Sequence, residues 1–228
     1  SNAFLAAKIS FINEIANICE RVPGVDVVKV AEGMGLDPRI GRYFLNAGLG
    51  FGGSCFPKDV KALISFARSL NYEPKMLHET LSINYQQALR GVELAKELLG
   101  ELKDKVIAVL GLSFKPNTSD MREASSLKII NKLIEEGAKI KVYDPAALGE
   151  ARKILGDKVV YAGSTIEAIK NADCCIIVTE WDEFRKLRPE DFLSNMRYPA
   201  LIDGRRIYDP KLFSRKLRFK AVGLGEFR

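Results

Sequence analysis

From residue 106 onward the chain alternates short apolar runs with stretches of helical period, and no other feature restricts its fold as strongly. The runs are 106–110, 140–143, 159–161, 174–178 and 201–202, with 221–223 as a possible last one. Helical patterns fill the intervals at 125–136, 148–155, 164–170 and 189–195. Strands that alternate with helices must lie parallel and be joined by right-handed crossovers, which predicts an α/β, doubly wound, Rossmann-like sheet. Such a sheet takes ligands at the carboxyl ends of its strands. The residues following each run are therefore candidates for function.

The first hundred residues carry a different pattern. Residues 4–19 read as a helix with two apolar stripes, Leu5, Ile9, Ile12 and Ala16 on one side and Phe4, Phe11, Ile15 and Ile18 on another. A helix apolar on several sides is buried or shared with a partner. Asp26 is placed to cap a short helix closed by Gly33 and Gly35, and residues 74–99 form a second long helix ended by Gly100. The polar break Lys103-Asp104-Lys105 marks the change of period. We expect a helical unit over 1–102 and the sheet unit over 103–228. Ser1-Asn2-Ala3 resembles a cleaved expression tag, and an abrupt start inside an apolar helix reads as a portion of something longer.

Charge and cysteine content narrow the function. The net charge of +6 is spread among 29 acidic residues without a long basic run, which argues against nucleic acid and fits a small anionic substrate. No apolar stretch reaches the roughly 18 residues of a membrane span. Cys19, Cys55, Cys174 and Cys175 lack metal-type spacing, and with one histidine, His78, no multi-histidine metal site can form. Reduced thiols of a cytoplasmic protein are the economical reading.

One cysteine stands in an unusual setting, in Gly50-Phe51-Gly52-Gly53-Ser54-Cys55-Phe56-Pro57-Lys58-Asp59. The glycines permit positive φ and close approach of backbone to a ligand. Pro57 suits a first helical turn, and Val60, Leu63, Ile64, Ala67 and Leu70 continue at helical spacing. Cys55 thus sits at a helix N-terminus, a position that favours the thiolate, with Lys58 nearby. Asp59 falls one turn along on the same face. The competing reading is a tight turn with a small buried cysteine.

The ten-residue string resembles the active-site segment of the nucleotide-sugar 6-dehydrogenases, the UDP-glucose/GDP-mannose dehydrogenase family. Two further segments are similar to the same family: the start of the first helix, and Gly111-Leu112-Ser113-Phe114-Lys115-Pro116-Asn117-Thr118-Ser119-Asp120-Met121-Arg122 after the first strand. The resemblance implies a central helical dimerisation domain followed by a domain for the nucleotide end of the substrate. It implies an enzyme that oxidises UDP-glucose to UDP-glucuronate with two NAD+ through a thiohemiacetal and a thioester on Cys55, assisted by Asp59. Asn2 falls on the family's catalytic Asn, and the matching Lys lies before residue 1. Arg39 matches an arginine that reaches the substrate of a neighbouring subunit. Phe44, Leu45, Gly48, Phe51, Gly52 and Gly53 match the lining of the sugar site.

The same resemblance assigns Phe114 and Lys115 to the nucleotide sugar and Arg122, with Cys55, to the cofactor. A glycine fingerprint for NAD is missing after the first strand, which argues against a conventional NAD site in this unit. The resemblance implies that the main NAD-binding domain lies outside this chain, so the portion alone is expected to be inactive. Of the two arginines after the fifth run, Arg205 is preferred over Arg206 for the substrate. Asp144 is expected to be structural, and Thr179-Glu180-Trp181 is left to packing. The alternatives are a GDP-mannose 6-dehydrogenase and a non-catalytic nucleotide-sugar-binding or dimerisation module.

Overall fold

In the computed structural model, which describes residues 1–226, four helices precede the sheet: α1 (Asn2–Cys19), α2 (Val27–Gly35), α3 (Phe56–Ser69) and α4 (Lys75–Leu99). The sheet unit follows as β1 (Val106–Leu110), α5 (Ser125–Glu135), β2 (Lys139–Tyr143), α6 (Leu148–Leu155), β3 (Val160–Tyr161), α7 (Thr165–Ile169), β4 (Cys174–Ile177), α8 (Asp182–Arg185), α9 (Pro189–Asn195), β5 (Ala200–Asp203), α10 (Pro210–Ser214) and β6 (Arg218–Ala221). Among the described residues no helix is long and apolar enough to cross a membrane.

All strand pairs are parallel, in the order β3-β2-β1-β4-β5-β6. The order reverses between β1 and β4, so a crevice opens there at the carboxyl edge. Period-two alternation feeds two cores. Ile107, Val109, Cys174, Ile176 and Ile202 face the side covered by α4, α5 and α6, while Ala108, Leu110, Cys175, Ile177 and Leu201 face Phe184, Phe192 and Phe213. The adjacent cysteines thus point to opposite faces.

The last strand ends at Ala221, earlier than the expected 221–223, because Val222 and Gly223 turn away to meet α2, where the Gly223 carbonyl accepts from Val27 N (2.9 Å). The one-turn helices α8 and α10 have no counterpart in the periodicity. A single turn is too short to display a 3.6-residue period, and α10 rests on local chemistry, with Pro210 in its first turn and the Asp209 carboxylate accepting from Lys211 N.

The larger core runs without a break from Ile12 and Ala16 through Val92 and Ala95 to Ile107 and Ile129. Helix α4 therefore packs on α1 and on the sheet unit at once. Ion pairs reinforce this seam. Arg90, on α4 with a side chain 15% exposed, meets Glu20 at 2.7 Å and Glu97 at 2.8 Å, and Glu97 also meets Lys220 on β6 (2.7 Å). Arg206 donates from both terminal nitrogens to Asp26, the cap of α2 (2.8 Å each). Burial is the largest influence and acts to raise the Asp26 carboxyl, but the Arg206 hydrogen bonds, the Val28 N–H and the Arg206 charge together outweigh it and hold the group below the usual carboxylate range.

On α1 the stripe Phe4, Phe11 and Ile18 is exposed, and on α3 Val60 and Ile64 face inward whereas Leu63, and Leu70 just past the helix end, do not. Leu49, in the segment between α2 and α3, is fully buried and lies against Gly91 of α4 and Gly204 after β5. A methyl group at Gly204 would sit 2.3 Å from Leu49 Cδ1 and 2.4 Å from the Ile177 carbonyl oxygen. The side chain fills a slot that only these two glycines leave open. Leu49→Ala is expected to lower the free energy of unfolding by about 3 kcal/mol in urea denaturation, the usual cost of a buried leucine whose cavity does not collapse.

Candidate active site

The segment from Gly48 to Cys55 crosses the carboxyl edge of the sheet and belongs to no regular element, although most of it is buried. Five of its polar backbone groups are met by side chains. Gly48 N donates to Asn13 Oδ1 (2.9 Å) and Gln87 Nε2 donates to Gly48 O (2.8 Å). Phe51 N donates to Asn84 Oδ1 (2.7 Å), and Asn84 Nδ2 donates to Phe51 O (3.0 Å). Arg205 Nη1 reaches Gly50 O (3.2 Å), and Gly53 N donates to Arg122 O (2.8 Å). Gly50 and Gly53 have φ of +85° and +83°, where an L side chain is strained. A Cβ at Gly53 would also lie 2.7 Å from the Phe114 ring.

Cys55 occupies the position before α3, with Pro57 in the first turn and Asp59 N donating to Cys55 O (2.8 Å). Its thiol is exposed, 3.8 Å from Ser54 Oγ, whereas Cys19, Cys174 and Cys175 are buried. Burial pushes the thiols of the last two far up. One turn into α3, Asp59 Oδ2 accepts from Asn2 Nδ2 (2.6 Å), and Lys58 Nζ stands 3.6 Å from Asp59 Oδ1. The Asn2 hydrogen bond, with Lys58 as a smaller contributor, holds the Asp59 carboxyl below its ordinary range.

These groups border a cleft of about 630 Å³ that brings together most of the residues expected from sequence. Phe44, Phe51, Gly52, Gly53, Cys55, Phe114, Lys115 and Arg205 line it, joined by Ile9, Tyr43, Asn46 and Glu180. Lys115 Nζ lies 5.3 Å from the centre of the Phe114 ring. Arg205 is held by Nε donation to Val178 O (2.5 Å) and by Glu180 at 3.4 Å. Arg206 is turned away to Asp26 and to Val222 O (3.1 Å), so the two arginines after β5 have separate tasks.

The remaining expected residues lie outside this cleft. Asn2 and Asp59 form their own pair beside it, and Gly48 lies behind it with its backbone bonded to α1 and α4. Leu45 is buried in the core and borders a smaller hollow of about 280 Å³ with Arg42, Arg205 and Arg206. Arg39, its side chain 87% exposed, pairs with Asp37 and borders an apolar groove containing Phe4, Phe11, Ile40 and Met76. Arg122 pairs with Asp120 (2.7 Å) and lines a cleft of about 740 Å³ on the other side of Gly53 and Ser54, with Lys58, Lys61 and Lys128. Asp144 accepts from the backbone of Leu112, Ser113, Ala146 and Ala147 and from Trp181 Nε1, a structural role.

Sequence reasoning did not single out Asn13, Asn84 or Gln87, and it left Glu180 to packing, whereas Glu180 lines the cleft beside Arg205. The helix expected over 74–99 rests on apolar spacing, which does not flag buried polar residues. In the structure Thr80, Asn84, Gln87 and Ala88 are buried, while Tyr85 is exposed under Lys128. Amides spaced three apart in a core-packed helix were the available signal.

Known proteins supply the context for this geometry. Residues 1–86 match the central domain, and residues 108–210 the UDP binding domain, of the UDP-glucose/GDP-mannose dehydrogenase family. The chain belongs to this family of nucleotide-sugar oxidoreductases. It is 49% identical over 208 residues to a UDP-glucose 6-dehydrogenase of Bacillus subtilis, covering 91% of this chain and 45% of that protein. It is 47% identical over 207 residues to a UDP-glucose 6-dehydrogenase of Haloferax volcanii, with 91% and 47% covered. The structure of a UDP-glucose dehydrogenase from Pyrobaculum islandicum superposes with a TM-score of 0.86 at 40% identity, over 99% of this chain and 48% of that one. The chain spans about half the length of the relatives it matches.

Two outcomes test the site's geometry. A thiol reagent should modify one of the four cysteines rapidly in the folded chain and all four after denaturation, read by absorbance and peptide mass. Asn2→Ala should move the Asp59 carboxyl titration upward towards the ordinary aspartate value, read by carboxyl carbon NMR.

Proposed function

We propose that this chain carries the nucleophile and the nucleotide-sugar site of a UDP-glucose 6-dehydrogenase, which converts UDP-glucose to UDP-glucuronate with two NAD+. The observation that carries this reading is the exposed Cys55 thiol at the head of α3, in a cleft that also receives Lys115 and Arg205 from the carboxyl edge of a parallel sheet. Two cations suit the diphosphate of the substrate. Phe44, Phe51 and Phe114 give the cleft apolar walls against which a sugar and a base can pack.

In this reading the sulfur of Cys55 adds to the C6 aldehyde left by the first oxidation. The resulting thiohemiacetal holds the aldehyde against escape and loses a hydride to become a thioester. Water then attacks the thioester carbonyl and the thiolate departs, leaving the uronic acid. A carboxyl held low by Asn2 is a weak proton acceptor near neutral pH, so Asp59 orients that water through hydrogen bonds.

The cofactor accepts one hydride in each oxidation when bound. Arg122, Lys58, Lys61 and Lys128 fit a pyrophosphate, since four cations outnumber the one carboxylate in their cleft, Glu123, which pairs with Lys61 (2.7 Å), and the cleft lies across Gly53 and Ser54 from the nucleophile. The exposed stripe of Phe4 and Phe11, with the groove beside it, suits a second copy of the chain, from which Arg39 would reach the partner's cleft.

In the full-length protein, Cys55→Ser should reduce formation of UDP-glucuronate at least about 1000-fold, measured by product chromatography, in keeping with loss of a covalent nucleophile. Undiminished product would overturn the reading. The chain alone should bind UDP-glucose in calorimetry, lose that binding in Arg205→Met, and fail to reduce NAD+. Tighter binding of GDP-mannose would instead assign the cleft to that substrate, and binding of neither would favour a dimerisation module.

A further inference from the structure

The segment that carries Cys55 is gripped by buried amides that no step of the chemistry above uses. Between Gly48 and Phe51 the main chain has no strand or helix partner, so its buried N–H and C=O groups need donors and acceptors from elsewhere. Asn84 meets Phe51 with both halves of its amide, at 2.7 and 3.0 Å, as a neighbouring strand would. One turn along α4, Gln87 donates to Gly48 O, and Asn13 of α1 accepts from Gly48 N. The three side chains are 4%, 1% and 0% exposed.

Such amides are expensive to bury among Ile12, Ala88 and Val92 unless they are bonded. Asn13 Nδ2 has no partner among the described residues, so packing alone does not account for the choice. Asn84 also presses on Gly50, where a Cβ would lie 2.8 Å from Oδ1. That contact and the φ of +85° together set the path of the chain at Gly50, five residues before the thiol of Cys55.

We propose that Asn84 is the positioning residue of the nucleophile, with Gln87 and Asn13 fixing the upstream end of the same segment. Asn84 acts through the Phe51 backbone, holding the Cys55 sulfur in register with Lys115 and Arg205 on the opposite wall. The role rests on the thiol chemistry proposed for Cys55. It requires that Asn84 affect the reaction more than it affects substrate binding, because the amide touches the segment and not the cleft.

In the full-length protein, Asn84→Ala should lower kcat at least about 10-fold while KM for the nucleotide sugar changes less than about 3-fold. Hydrogen exchange at the Phe51 amide should quicken at least about 10-fold, with the amides of β1 unchanged. Ala95→Gly, three turns further along α4, is the control: it should lower Tm by a comparable amount and leave kcat unaltered. Should Asn84→Ala not fold, Asn84→Ser, which retains one hydrogen-bonding oxygen, should show the same pattern at smaller amplitude. An unchanged kcat, an unchanged Phe51 exchange rate, or an equal loss of kcat in Ala95→Gly would overturn the positioning role. Loss of turnover in Cys55→Ser with full turnover in Asn84→Ala would sink this inference alone, whereas full turnover in Cys55→Ser would sink the proposed chemistry.

Discussion

The seating of Leu49 between Gly91 and Gly204 is the contact on which the rest of the molecule depends. It joins α4 to the carboxyl edge of the sheet and pins the middle of a segment that has no regular structure of its own. Side chains on α1, α4 and the loop after β5 then satisfy the backbone on either side of that anchor. A loop with unpaired buried polar groups would be driven towards water. This one stays inside because the amides and Arg205 replace water at both backbone groups of Gly48 and Phe51 and at the Gly50 carbonyl.

Positive charge is divided by task along the same edge. Arg206 is spent on Asp26 and steadies α2 against β5 and β6, a nearly buried pair whose rupture would strand a guanidinium. Arg205, its immediate neighbour, keeps its end in the cleft while its Nε is tied to Val178 O. One arginine is tied to Asp26 and the other lines the cleft, the chain turning between them with Arg206 at φ +56°. Lys115 approaches from the loop after β1, so an anion in the cleft would meet charge from both sides of the point where the strand order reverses.

Much of this arrangement was legible in the chain. The alternation from residue 106 identified the sheet because parallel strands buried on both faces must be apolar throughout, as 174–177 show. The cysteine segment was conspicuous because glycines, proline and a periodic run stand together. Helices α8 and α10 were not visible, being held by capping and packing at single turns. The polar part of the inward face of α4 was not anticipated because its partner there is a buried backbone, which calls for Asn84 and Gln87 where a hydrophobic count looks for leucine.

Local sequence determined the elements, their order, and the turn that delivers Cys55 to a helix N-terminus, since these follow from periodicity, proline and glycine over a few residues. Tertiary structure alone decided which charges share a cleft, which arginine of an adjacent pair faces it, and that Asn2 and Asp59, 57 positions apart, hold one another. Those choices depend on long-range packing of α1 and α4 against the sheet edge. No spacing along the chain encodes the distance between atoms that only folding brings together.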